Sequence, residues 1–273
     1  MFIFVFFNLS PRNLTLLPSL GLQVSRFEKS QKKWNPHLKS LARKKAARII
    51  SRCKKEGRSP LLQEGMEIFK DYGIPVVESI RVKNTNEAVK AANKLGYPVV
   101  MKIISQDISH KTDFGGVKLN LGNESHLRDA YDDMIKNMKK LAPKATIEGV
   151  VIQPMLKRGW EMILGAKRDP NFGPIVLAGL GGTFVEIFKD SSIRVVPFDK
   201  VEAKKMLSEL KGFPILKGAR GDKPYDIKVV EDAILRLSKL ITDFPEIKEI
   251  DINPFYTMRK GHGAMALDAR IVL

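Results

Sequence analysis

Lys102 interrupts an otherwise apolar run, Tyr97–Ile104, and the chain then enters a polar loop, His110-Lys111-Thr112, that closes on Gly115-Gly116. A lysine in an apolar strand is rarely fully buried without a partner. Its ammonium supplies a point charge, and glycines let backbone N–H groups approach phosphate oxygens. Two readings of this stretch are open: a phosphate grip, or a snorkelling lysine followed by an ordinary turn. Near the C-terminus, Ile247–Thr257 and Ala264–Val272 read as a hairpin around Arg259-Lys-Gly-His-Gly263. If the turn centres between Lys260 and Gly261, Asn253 lies opposite Asp268, and Asp251 shares their face. Oxygen donors grouped in this way suit Mg²⁺, which takes one or two carboxylates plus substrate phosphates. The competing reading is a solvated hairpin face.

Other segments carry weaker signals. Val150-Val-Ile-Gln153-Pro154-Met155 is an apolar strand ending in a polar kink, suited to offering backbone groups to an adenine edge. Glu161, which opens the next strand, can hydrogen-bond a ribose. Lys217-Gly-Ala-Arg220-Gly221-Asp222 is a flexible loop presenting an arginine, either to a phosphate or partner or simply to solvent. Leu177-Ala-Gly-Leu-Gly-Gly182 is glycine-rich, but a strand-like segment, Thr183–Glu186, follows it where a dinucleotide fingerprint needs a helix. Of the histidines, His37, His126 and His262 read as surface residues. His110 differs, because neighbouring cations disfavour its protonated form and leave a nucleophilic imidazole. The residues alone leave structural and catalytic roles for it open.

These groups need a scaffold. Helices are expected over Leu38–Lys55, Leu61–Asp71, Asn84–Gly96 (capped by Asn84 with Glu87), Asn123–Leu141, Val201–Leu210 and Asp226–Phe244. In the first, Leu38, Leu41, Ala42, Ala46, Ile49, Ile50 and Cys53 form the expected apolar stripe. Strands are expected at Val76–Val82, Tyr97–Ile104, Gly116–Leu121, Gly149–Pro154, Glu161–Arg168, Ile175–Leu177, Thr183–Ile187 and Arg194–Pro197, before the hairpin. Mixed strands and helices followed by antiparallel strands argue α+β rather than a doubly wound parallel sheet. The expected organisation is an extension, 1–36, ill-ordered or derived from a start site placed too far upstream; a basic helical lead-in, 37–60; and α+β subdomains over 61–148 and 149–273.

The net charge of +17 is concentrated in residues 1–60, which hold 14 Lys/Arg against 2 Asp/Glu; the remainder holds 33 against 28. The basic segment contains no recognisable nucleic-acid module, so nucleic acid is not the expected partner. Met1–Phe7 is apolar but far below the ~20 residues that span a membrane, and it lacks a positive n-region. A cryptic signal or anchor is the alternative reading. A single cysteine, Cys53, excludes an intrachain disulfide and fits a reducing cytoplasm.

Taken together and in order, several segments resemble an ATP-grasp nucleotide-binding domain. The resemblance is to the β subunits of ADP-forming acetyl-CoA synthetases, within the NDP-forming acyl-CoA synthetases and related to succinyl-CoA synthetase β subunits. It rests on Gly73-Ile-Pro75, Gly96-Tyr-Pro98, Lys102, Ser109-His-Lys-Thr-Asp-Phe-Gly-Gly116, Gln153-Pro-Met155, Arg168-Asp-Pro170, Phe172-Gly-Pro174, Gly179-Leu-Gly-Gly182, Arg220-Gly221 and Asp251-Ile-Asn-Pro254, and runs from about Arg43 to Leu273. The resemblance implies an ATP-grasp fold, two α+β subdomains clasping ATP or ADP. Lys102 would bind the phosphates, with Gly115-Gly116 covering them. Gln153 and Met155 would lie at the adenine hinge and Glu161 near the ribose, and Asn253 and Asp268 would hold Mg²⁺. Asp251 stands where the succinyl enzymes carry a glutamate facing the phosphohistidine. His110 falls on the histidine that relays phosphate to the nucleotide.

The implied reaction is acyl-CoA + ADP + phosphate giving acid + CoA + ATP. No CoA-binding domain is visible in the chain, so the resemblance implies a CoA-binding α subunit, in a heterotetramer. Two other readings stand beside it: a stand-alone ATP-grasp ligase joining a carboxylate to an amine, and a non-catalytic nucleotide-binding module. Retention of Lys102, His110, Asn253 and Asp268 together counts against the last.

Overall fold

A computed structural model describes residues 36–108, 111–157, 159–182 and 189–273, with residues 36–39 and Arg220 described by their backbone alone. The expected extension (but for its last residue), His110 and the expected strand Thr183–Ile187 lie outside the described residues. The chain divides into two units.

The smaller unit comprises Leu61–Gln63 and Val77–Lys157. It holds β1 (Ile80–Val82), α3 (Thr85–Leu95), β2 (Val99–Ile104), β3 (Val117–Leu121), α4 (Glu124–Leu141) and β4 (Gly149–Pro154). The strands form an antiparallel sheet in the order β1-β4-β2-β3. Helix α3 starts where the sequence predicts. Asn84 Oδ1 accepts from the Glu87 N–H at 2.9 Å, and Glu87 reaches back to the Lys83 N–H at 2.8 Å. The helix so capped packs Ala88, Val89 and Ala92, with Leu127, Met134 and Met138 of α4, onto Val99, Met101, Ile103, Val150 and Ile152. Because side chains alternate along a strand, Val100, Lys102, Val151 and Gln153 point to the sheet's other face.

The larger unit joins the segment ending at Pro60 with Glu64–Val76 and Arg158–Leu273. It holds α1 (Pro36–Lys55), α2 (Leu62–Asp71), β5 (Trp160–Asp169), β6 (Gly173–Leu180), β7 (Ser191–Val195), α5 (Lys200–Ser208), α6 (Phe213–Leu216), α7 (Ile227–Asp243), β8 (Glu249–Thr257), β9 (Ala264–Ala266) and β10 (Arg270–Val272). The sheet runs β10-β8-β5-β6-β7, and β9 also pairs with β8. Helix α7 buries Val230, Ala233, Ile234, Leu237, Leu240 and Ile241 and packs on β5, β6 and β8. Ile163, Ile175 and Leu177 form a separate apolar cluster with Ile193 and Val195, and no helical residue belongs to it. By strand alternation, Lys167, Glu249, Asp251 and Asn253 lie on that same face.

Three expectations need correction. The boundary near Pro143–Gly149 is misplaced: β4 pairs with β1 and β2, so it belongs to the first sheet, and the division falls after Lys157. Helix α2 from Glu64 onward likewise belongs to the larger unit. The expected strand Val76–Val82 shrinks to Ile80–Val82, because Val76 bridges to Ala266 and the ladder to β4 begins only at Ile80. In α1 the buried stripe is Ala42, Ala46, Ile50 and Cys53, while Leu41 is 46% exposed. Burial, then the Glu64 carboxylate, pushes the Cys53 thiol up to about 11, so it is protonated and inert at neutral pH.

Arg168-Asp-Pro170 closes the large unit. The Arg168 guanidinium donates to the Ile247 carbonyl at 3.1 Å, to Phe244 at 3.1 Å, and to the Ile241 carbonyl, tying β5 to the end of α7 and to the turn that follows it. Asp169 accepts from the Asn171 and Phe172 N–H groups. Arg168→Met is therefore expected to cost about 2 kcal/mol. Urea unfolding of wild type and variant checks this, and an unchanged midpoint would contradict it.

Candidate active site

In the smaller unit, Lys102 is 7% exposed and sits on the face of β2 turned away from the helices, between Val117 of β3 and Val151 of β4. The loop from β2 to β3 is anchored before His110. Asp107 accepts from the Thr146 N–H at 2.7 Å, and Ile108 is buried in the core. It is anchored again after His110, where the Gly116 N–H donates to Lys111 at 2.6 Å and the Gly115 N–H to Thr112 at 3.0 Å. Both glycine donors are thus turned into the loop rather than outward, as the sequence reading had them. The need for glycine is steric. Gly115 has φ +68°, and a Cβ on Gly116 would lie 2.7 Å from Ile103 Cγ2.

The expected adenine hinge also differs in detail. The Gln153 amide is 2% exposed and donates to Ser79 Oγ at 2.9 Å. The Met155 N–H donates to the Pro98 carbonyl at 3.0 Å. Gly96-Tyr-Pro98 therefore holds the strand end in place, and the Met155 N–H is already committed.

The larger unit contains the hairpin residues. Phe255 pairs with Ala266 and Thr257 with Ala264; beyond the gap, Asp251 pairs with Arg270 and Glu249 with Val272. This is the register that sets Asn253 opposite Asp268. What the sequence did not reveal is that both edges of β8 are interrupted there. On one side the partner strand breaks between Ala266 and Arg270. On the other, Met162 pairs with Phe255 and Leu164 with Ile252, so Asn253 and Pro254 together oppose Ile163 alone. Such a bulge re-aims side chains, and proline has no N–H to give to a ladder.

Asn253 is exposed, and Asp251 and Asp268 are half-buried. Asp268 Oδ1 accepts its neighbour Ala269's N–H at 2.8 Å, and Glu249 pairs with Arg270 at 2.9 Å. No group of three or more His, Cys, Asp or Glu is placed to hold a metal among the described residues. An amide oxygen with one or two carboxylates fits Mg²⁺, which draws its remaining ligands from water and phosphate.

Glu161 is exposed, and its carbonyl accepts from the Gly181 N–H at 2.7 Å. A Cβ on Gly181 would lie 2.9 Å from that oxygen. The glycine-rich stretch thus lets strands approach closely. Arg220 lies in a short 3₁₀ turn, Ala219–Gly221. Sequence reasoning missed the residues around that turn. Arg259 donates to Asp222 and to the Lys223 carbonyl, and its guanidinium lies 4.1 Å from the Tyr225 ring centroid. The Arg259 bond holds the Asp222 carboxyl below the usual carboxylate range. No local signal marks Arg259, because its partners lie more than thirty residues earlier in the chain.

The chain belongs to the ATP-grasp family, whose domain matches residues 52–273. Within that class, it is 48% identical over 229 residues to subunit β of ADP-forming acetate–CoA ligase I of Pyrococcus furiosus, covering 84% of this chain and 98% of that one. It is 49% identical over 230 residues to the ADP-forming 4-hydroxybutyrate–CoA ligase of Nitrosopumilus maritimus, again 84% of this chain but only 33% of that longer protein. It also resembles the dinucleotide-forming acetyl-coenzyme A synthetase 1 of Ca. Korarchaeum cryptofilum, solved with coenzyme A and Mg-AMPPCP and with its phosphohistidine segment pointing towards the nucleotide-binding site. There the TM-score is 0.71 at 38% identity, over 84% of this chain and 99% of that one. No helix among the described residues is long and apolar enough to cross a membrane.

Gly116→Ala is expected to be worse than Gly115→Ala, because its Cβ meets the packed Ile103 side chain and the Lys111 carbonyl, whereas at Gly115 only φ is strained. The expected loss for Gly116→Ala is about 2 kcal/mol. Melting curves of the two variants check the order, and equal losses would contradict it.

Proposed function

We propose that this chain is the nucleotide-binding subunit of an ADP-forming acyl-CoA synthetase. The reaction is acyl-CoA + ADP + phosphate giving acid + CoA + ATP, reversibly, with a CoA-binding α subunit as partner and a heterotetramer as the assembly. The observation that carries the reading is the 48% identity extending across 98% of a β subunit. Lys102 neutralises phosphate charge, and the strand end at Gln153–Met155 and the exposed Glu161 receive adenine and ribose. Arg220 adds a second cationic contact to phosphate. Asn253 and Asp268 hold Mg²⁺, which when bound screens the nucleotide's phosphates. His110 accepts a phosphoryl group on a ring nitrogen from the partner's phosphohistidine. It passes the group to ADP, where the N–P bond breaks as the bond to the terminal ADP oxygen forms. Asp251 faces the incoming phosphohistidine, and its carboxylate favours the cationic form of that imidazole. The site of synthesis is the cytoplasm, where its nucleotide substrates are held.

Assay of the purified chain with acyl-CoA, ADP and phosphate is expected to yield no ATP until a CoA-binding α subunit is added. In the reconstituted enzyme, His110→Ala should abolish ATP formation while leaving the Kd for MgADP within about twofold of wild type. Acyl-CoA turnover by the chain alone would overturn the division of labour, and full activity of the variant would remove His110 from the relay.

A further inference from the structure

The loop that carries Arg220 has little of its own to hold it. Within it, the Asp222 N–H donates to Ala219 at 3.3 Å and the Gly218 N–H to Ile215 at 3.0 Å. Gly218 and Gly221 take φ of +87° and +79°, and a Cβ on Gly218 would fall 2.1 Å from the Asp222 carbonyl. The loop is secured instead by the turn of the terminal hairpin. Lys260 N–H donates to the Pro224 carbonyl at 2.9 Å, and the Asp226 N–H donates to Met258 at 2.9 Å. The Asp226 carboxylate accepts from Gly261 at 3.1 Å and Gly263 at 3.0 Å. Arg259 sits at the middle of these contacts. Its guanidinium bonds Asp222 and the Lys223 carbonyl and stacks on Tyr225, whose ring packs edge-on against Trp160 at 6.3 Å. Its side chain is 26% exposed and that of Asp222 is 56% exposed.

We propose that Arg259 is a positioning residue: it locks the Lys217–Asp222 loop, and with it the backbone of Arg220, onto the hairpin that bears Asn253 and Asp268. The inference rests on the reading of Arg220 as a phosphate contact. A loop with two glycines at positive φ loses much conformational entropy when ordered. If Arg259 orders it in the free protein, that cost does not fall on ligand binding. Only a planar fork can serve the carboxylate, the carbonyl and the aromatic face at once; a lysine can serve the carboxylate alone.

The test is calorimetric titration of MgADP into the full-length chain, with melting temperatures measured in parallel. Arg259→Met is expected to raise the Kd about tenfold, Arg259→Lys by an intermediate factor, and Arg220→Met about tenfold. The double variant should be no weaker than Arg220→Met alone, because both changes remove the same contact. If Arg259→Met does not fold, Asp222→Ala removes the same bond from an exposed partner and carries the same expectation. Binding within about twofold of wild type for Arg259→Met would overturn the inference and leave the nucleotide reading intact. So would losses that multiply in the double variant, since Arg259 would then act independently of Arg220. A wild-type chain that binds no MgADP would overturn the nucleotide reading, and this inference with it.

Discussion

The interruption of β8 at Asn253–Pro254 is the constraint on which the larger unit's chemistry depends. Either side of it, β8 keeps one register with β9 and β10 and is a regular member of the sheet. At the interruption, one neighbouring strand breaks and the other passes two residues with one. An unbroken ladder would commit the backbone there and fix the side chains at regular intervals. The break lets the exposed amide of Asn253 on β8 stand opposite the half-buried carboxylate of Asp268 in the gap between β9 and β10. Rigidity matters, because ligands for a hard cation must be held in place before the ion sheds its water.

The smaller unit solves a different problem. A lysine in a strand whose six residues are all buried is costly unless its charge is satisfied. The sheet places it on the face opposite the helical core, beside Val151 and in the row that ends at Gln153. The following loop takes its shape from internal hydrogen bonds and from a glycine pressed against Ile103. The glycines therefore give the loop its shape.

Much of this was readable from local patterns. Helix caps at Asn84 and Asn123 are local chemistry, and the structure forms both. The hairpin register followed from one assumption about its turn, and the observed pairs obey it. Non-local features were not readable. Strand β4 follows a helix of the first sheet and returns to that sheet, so a boundary placed where the strand-rich half begins falls too early. In α1, seven apolar residues formed a stripe wider than the buried face, and Leu41 lies outside it. Arg259 was read only as part of a turn, because its carboxylate, carbonyl and aromatic partners come from a distant loop.

The central claim is that Asn253 and Asp268, set opposite each other at the interruption of β8, bind the metal of a metal–nucleotide complex. Mn²⁺ in place of Mg²⁺ gives an electron paramagnetic resonance signal that reports bound metal directly. The account predicts that Asp268→Asn weakens binding of MnADP by about tenfold or more while leaving metal-free ADP binding within about twofold of wild type. Equal weakening of both, or no change in either, would contradict it.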